Sequence, residues 1–153
     1  MPETDYDSRA DTQNHIARVQ ELLKQCRDDL QYRAGTHDLS KLEHPEKEAF
    51  DIATPKLADL TYGSPEYAQA LVDLKPALDH HYAANDHHPE HYENGINDMN
   101  LFAVMEMLMD WKAASERHDN GDIYKSIEIN AKRFSLGQQL VDIMMNTAIS
   151  MGW

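Results

Sequence analysis

The stretch at residues 80–110, HHYAANDHHPEHYENGINDMNLFAVMEMLMD, decides how the rest of the chain is read. Its first half holds five of the chain's nine histidines and shows little periodicity, so residues 80–95 read as a loop or short helical turns built around polar contacts, with Asn94-Gly95 as a turn. Its second half is different in kind. Leu101, Val104, Met105, Leu108, Met109 and Trp111 recur at three-and-four spacing, which predicts a strongly apolar helix. Asp110 lies within that helix and Glu106 one turn before it on the same face. A carboxylate pair facing a core is costly unless it is paired or bound to a cation, the ordinary alternative being that one of the two caps or salt-bridges.

The histidines come as doublets. His80 and His87, like His81 and His88, are seven residues apart and would share a face if the segment were helical, but Asn85-Asp86 and Pro89 argue against that. One ring of a doublet usually works and the other faces solvent. The reading favours His81 and His88 as ligands for a second metal or a phosphate, with His80 and His87 as weaker candidates and His44, His91 and His118 as solvated rings. Such rings can also orient carboxylates without ligating.

Outward from this stretch, the chain reads as helices throughout. After a polar lead-in at residues 1–8, Ile16, Val19, Leu22, Leu23, Cys26 and Leu30 mark an amphipathic helix that should place His15 inward and end near Arg33–Gly35, with Thr36 as a cap for a short segment carrying THDLSKL. His37 and Asp38 fall at that junction. Pro45 is a good first helical position, so PEKEAFDIA should form a short helix ending before Thr54-Pro55, with residues 54–64 as a connection. Ser64-Pro65 starts another helix through Leu78, in which Pro76 is a kink or break. Beyond Asn120-Gly121-Asp122, residues 123–134 form a helix packed through Ile127 and Ile129, and Ser135 is a candidate cap for LGQQLVDIMMNTAISM. There is no internal repeat and no strand run. The expectation is one all-α domain over residues 1–153, a compact bundle of about five to seven helices.

Composition narrows the function classes. With 153 residues, 41% hydrophobic and only six glycines and six prolines, the chain suits a compact helical protein, and its eight methionines suit core packing. A formal charge of −13 disfavours an extended nucleic-acid surface or an anionic membrane. A small anionic substrate remains open if the local field is reversed, which a bound divalent cation does. One cysteine, Cys26, excludes an intrachain disulfide, and the absence of a leader-like or 18-residue apolar segment predicts a cytoplasmic protein.

The order His15, then His37-Asp38, then Asp110 resembles the HD superfamily of metal-dependent phosphohydrolases, all-helical enzymes whose corresponding residues bind one divalent metal; Lys41, in HDLSK, is similar to the lysine of the HDxGK variant in HD phosphodiesterases. A closer resemblance is to an uncharacterised HD-like family of small bacterial and phage proteins with the pattern HI..V, HDxSK, HxxxNxHH and EMxxDW. Here these motifs are His15-Ile16 with Val19, His37 to Lys41, His81 to His88 including Asn85, and Glu106 to Trp111. The GYP element of cyclic-dinucleotide phosphodiesterases is missing.

The resemblance implies an HD-like helical bundle with His15, His37, Asp38 and Asp110 on the principal metal. Read physically, imidazoles and carboxylates suit Zn, Mn, Fe, Co or Ni, one or two ions, with Mg also open, and such a metal activates water and polarises a phosphoryl oxygen. Lys41 is the candidate for holding phosphate, with an ordinary surface lysine as the alternative. Asp38, Lys41 and Glu106 are the candidate catalytic residues. Asn85, His81, His88 and Trp111 are candidates for binding substrate, Trp111 by walling the site or stacking a base, although core packing is its commoner use. Glu46 or Glu48 could assist proton transfer or bind metal, but PEKEAF is also an ordinary acidic helix start. The expected function is hydrolysis of a nucleotide or other small phosphate ester. The alternative is a non-catalytic metal- or nucleotide-binding or protein-interaction module on the same scaffold. Self-association is left open.

Overall fold

The computed structural model describes residues 6–60, 64–117 and 119–153. Among them the fold is all-α, with six α-helices and no strand. The chain divides after Gly35 into two compact units.

The first unit holds the helix α1, Arg9–Thr36, up to Gly35; the helix runs one residue past the predicted end. None of its residues is buried. Ion pairs along its length, Arg18 with Glu21 at 2.8 Å and Arg33 with Asp29 at 3.0 Å, are of the helical kind that each contributes a few tenths of a kcal/mol.

The second unit, from Thr36 onward, carries α2 (Glu46–Asp59), α3 (Pro65–Ala84), α4 (Leu101–Ser115), α5 (Ile123–Arg133) and α6 (Gln138–Ser150). Short 3-10 turns at Leu39–Leu42, Pro89–His91 and Gly95–Asp98 fill the connections. Polar caps start three of the helices. Ser64 Oγ accepts from Tyr67 N at 3.1 Å beside Pro65, Asn100 Oδ1 from Ala103 N at 2.9 Å, and Asp122 Oδ1 from Tyr124 N at 2.8 Å.

Pro55 does not end its helix as the sequence predicts, and Pro76 does not break its own. Pro55 lies inside α2 and Pro76 inside α3. Each removes a backbone hydrogen bond, at about 3 kcal/mol in an isolated helix. Packing offsets this: Ala53 of α2 meets Leu74 and Ala77 of α3, with Ala49, Phe50, Leu57 and Leu78 around them. Residues 54–59 are therefore helix rather than connection, and residues 61–63 lie outside the described residues. The same continuation carries α3 six residues past Leu78, so His80 and His81 stand on its last turn instead of in a loop.

A second core joins α4, α5 and α6 through Met107, Leu108, Ile123, Ile127, Met144 and Ala148. Ile127 is 0% exposed, whereas Ile129, predicted to pack with it, is 66% exposed. Ser135 does not cap α6. It adopts φ 53° and closes the end of α5, where Leu136 N donates to Ala131 O at 2.9 Å; Gly137 precedes α6. Thr36 likewise is the last residue of α1, and the position before Leu39–Leu42 is Asp38, in the left-handed region at φ 54°. Polar residues come from the elements of both cores: Glu46 from α2 and His81 from α3 contact each other, and Glu106 and Asp110 come from α4.

Candidate metal centre

Two groups of donor atoms lie within metal-binding reach of one another, Asp38 with His81, His87 and His88, and His37 with His87 and Asp110; within each, all ligand atoms fall inside 4.8 Å. All six residues belong to the second unit.

The orientation of the rings is set by two carboxylates, the buried Glu46 and the partly buried Glu106. Glu106 Oε1 lies 2.8 Å from His37 Nδ1 and 3.1 Å from His87 Nδ1. Glu46, 0% exposed at the start of α2, places Oε1 2.7 Å from His80 Nδ1 and Oε2 2.9 Å from His81 Nδ1. A carboxylate only accepts, so each of these Nδ1 atoms carries the proton. In the neutral rings the lone pair is then on Nε2, and in His37, His81 and His87 that atom turns towards the aspartates.

There the polar atoms crowd, and only some of them satisfy one another. His81 Nε2 is 3.0 Å from His88 Nε2 and 3.4 Å from Asp38 Oδ1; His87 Nε2 is 3.3 Å from the same Oδ1 and 3.9 Å from Asp110 Oδ2. His37 Nε2 is 3.6 Å from Asp38 Oδ2 and 3.7 Å from Asp110 Oδ1. Asp38 Oδ1 and His87 Nε2 are both buried without a hydrogen-bond partner. Two such orphans facing each other would cost a few kcal/mol as they stand. Donors of a tetrahedral ion held at roughly 2.1 Å lie about 3.4 Å apart, close to the spacings around Asp38 Oδ1, so a cation resolves the crowding that hydrogen bonds leave. The cluster can therefore hold a metal ion.

Protonation points the same way. Burial, with the neighbouring His87 and His81 adding to it, pushes the His88 ring down to about 3, which keeps it neutral and able to ligate. His81 is lowered by burial against the opposing pull of Glu46. Burial would raise the Asp38 carboxyl, but the approach of His87 and the Lys41 ammonium outweigh it and hold the group well below the carboxylate range. The His87 contact is electrostatic, without hydrogen-bond geometry. Asp110 is also lowered, burial being overcome by His37. His37 is raised to about 9 by Asp110, against burial, with Glu106 and Asp38 adding to the rise. In the absence of a cation, a proton on His37 supplies the positive charge that this acidic pocket requires.

A family model described as a family of unknown function, DUF5662, matches residues 4–150. The chain belongs to that family. Comparison with curated proteins and with solved structures gives no match.

Within this DUF5662 chain the sequence-predicted residues fare unequally. His37, Asp38, His81, His88 and Asp110 all fall in the two groups, but divided differently from the expectation: Asp38 goes with His81 and His88, and His37 and Asp110 stand in the other group. His15 is on α1 in the first unit, exposed, and both groups form without it. His87, ranked below its neighbour, is 1% exposed and is the ring common to both groups. His80 faces Glu46 instead.

Glu106 orients two rings through one oxygen rather than facing outward as an acid. Asn85 caps α3 and donates from Nδ2 to Ser40 Oγ and to His81 O, both at 2.8 Å, while Ser40 Oγ donates to Glu46 at 3.0 Å; its amide is spent on bracing the site. Lys41 Nζ donates to Asp38 Oδ2 at 2.7 Å and lies over the Phe50 ring. Trp111 packs on the second core with its ring stacked on Phe134.

Elsewhere in the chain, Arg18 pairs with Glu21, Lys112 with Glu116 and Arg133 with Glu90. His44 and His91 are exposed as expected, and His118 lies outside the described residues. Glu46 is the residue that the sequence reading undervalued. Nothing local separates it from Glu48, which is exposed and pairs with His44; only the arrival of His80 and His81 from α3 distinguishes the two.

Proposed function

We propose that this chain is a metal-dependent hydrolase of small phosphate esters, nucleotides first among them, acting in the cytoplasm. The observation that carries the reading is the convergence of imidazole Nε2 atoms on Asp38 Oδ1, with two buried orphan atoms at the meeting point and each Nδ1 proton of His37, His81 and His87 held by a carboxylate. The mixed nitrogen and oxygen donors favour Zn, Mn, Fe, Co or Ni over Mg. When bound, such an ion supplies an activated water and polarises a phosphoryl oxygen.

The chain's own residues do the rest. Asp38, Asp110 and the four rings fix the ion or ions. Glu46 and Glu106 lock the tautomers that make those rings ligands. Lys41, with its ammonium partly exposed beside Asp38, offers a positive charge to phosphate oxygens. The order of the His and Asp motifs, which resembles the HD phosphohydrolases, supports hydrolysis. Membrane chemistry has no support: no helix of the described residues is long and apolar enough to cross a bilayer.

The test is a panel of nucleoside mono-, di- and triphosphates with Mn or Co, run on the native chain and on Asp38→Asn, alongside elemental analysis of the purified protein. Turnover that vanishes in the variant is the expected result. Nucleotide binding without turnover would identify a binding module, and protein free of stoichiometric metal would remove the reading.

A further inference from the structure

The two donor groups share one residue. His87 belongs to both, its Nδ1 held by Glu106 and its Nε2 facing Asp38 Oδ1 at 3.3 Å and Asp110 Oδ2 at 3.9 Å; an imidazole nitrogen has a single in-plane lone pair, so Nε2 ligates one ion at a time. The groups are unequal competitors for it. The first has three further donors, Asp38 Oδ1 and the Nε2 atoms of His81 and His88. The second, once His87 is committed elsewhere, keeps only His37 Nε2 and one oxygen of Asp110. Its natural third donor is Asp38 Oδ2, 3.6 Å from His37 Nε2, but that oxygen is held by Lys41 Nζ at 2.7 Å.

Charge sets the same order. Counted with every ring neutral, as two bound ions require, Asp38, Glu46, Glu106 and Asp110 against Lys41 leave three negative charges. One divalent ion does not turn the pocket positive, and a second does.

We propose that the centre holds one resident ion at Asp38, His81, His87 and His88, and that a second ion binds at His37 and Asp110 only together with a phosphate oxyanion, Lys41 acting as the latch. Phosphate draws the Lys41 ammonium to itself and releases Asp38 Oδ2 to bridge towards the second ion, while its own oxygens complete that ion's shell. The substrate is then bound as a phosphate-metal pair. This rests on the metal-centre reading above.

Coupling is reciprocal, so the second ion must raise phosphate affinity by the factor by which phosphate raises its own. Metal-stripped full-length chain is titrated with Mn and the bound ion counted by loss of the free-ion electron-spin signal, in chloride and with inorganic phosphate at equal ionic strength. The expected result is one ion per chain in chloride and two with phosphate, the second tightened at least tenfold. Asp110→Asn should keep the first ion and lose the phosphate-linked one. Lys41→Met should take up two ions without phosphate, since its latch is gone. Two ions in chloride for the native chain, or one regardless of phosphate, overturns the latch and leaves the metal centre standing. No bound ion at all overturns both.

Discussion

Replacing Glu46 with Gln isolates what a single buried oxygen does. The carboxylate accepts from His80 Nδ1, His81 Nδ1 and Ser40 Oγ at 2.7, 2.9 and 3.0 Å, with no water-facing surface to fall back on. Gln offers one acceptor and one donating amide. If the amide faces His81, that ring must move its proton to Nε2 and forfeits its ligand lone pair; if it faces the half-exposed His80, that ring can turn to water and the cost is smaller. Losing a carboxylate that orients a ligating histidine weakens a metal by roughly 10- to 100-fold, or about 1.4 to 2.7 kcal/mol. Competition for Co or Zn against a chromophoric chelator reads this directly. Glu48→Gln, two residues on and exposed, should leave the affinity unchanged. A folded Glu46→Gln chain that binds within about threefold of the native one would refute the idea that Glu46 tunes the site.

The same geometry sets three other outcomes. A divalent ion at a hundred times its dissociation constant stabilises the chain by about 2.7 kcal/mol, so chelation should lower the melting temperature by about 5 to 10 °C in a scanning calorimeter. In the chelated protein His37 is raised from its ordinary 6.5 to about 9, chiefly by Asp110, so its contribution to stability is full below pH 6.5 and lost as pH climbs through 9. After allowance for solvent screening the loss is about 2 kcal/mol between pH 6.5 and 9.5 in urea unfolding, and His37→Gln should flatten that part of the profile. In the α4–α6 core, Ile127→Ala should cost about 2 to 4 kcal/mol, while Ile129→Ala, two residues on and exposed, should stay within about 0.5 kcal/mol of the native protein.

What the sequence made legible was periodic or polar-capped. Leu101 to Trp111 announced α4 with Asp110 inside it, and Ser64-Pro65 announced the start of α3. The ends of elements were harder, because tertiary contacts decide them. Pro55 read as a stop and Pro76 as a kink or break, yet α2 and α3 pack on each other strongly enough to run through both. That continuation fixes where α3 ends, at an Asn85 cap braced by Ser40 from a different part of the chain, and so fixes which ring of the His80-His81 doublet joins the site. Seven-residue spacing alone could not choose between His87 and His88, and both turn out to face the site. Glu46 is the sharpest case, an ordinary first-turn glutamate until two histidines from another helix close on it.

The backbone at Asp38 has a consequence for mutagenesis. Its φ of 54° is a conformation that Gly, Asn and Asp tolerate and that a bulkier or branched side chain enters at a cost of about 1 kcal/mol or more. Of those three residues only Asp carries a charge, so chain geometry and coordination chemistry select the same side chain there for separate reasons. A saturation screen at position 38 would record failure for nearly every substitution while mixing two causes. Glu would keep the charge and strain the turn; Gly would ease the turn and remove the ligand. Asn alone holds the main chain constant while deleting the charge, which makes it the substitution whose phenotype can be assigned to the metal centre.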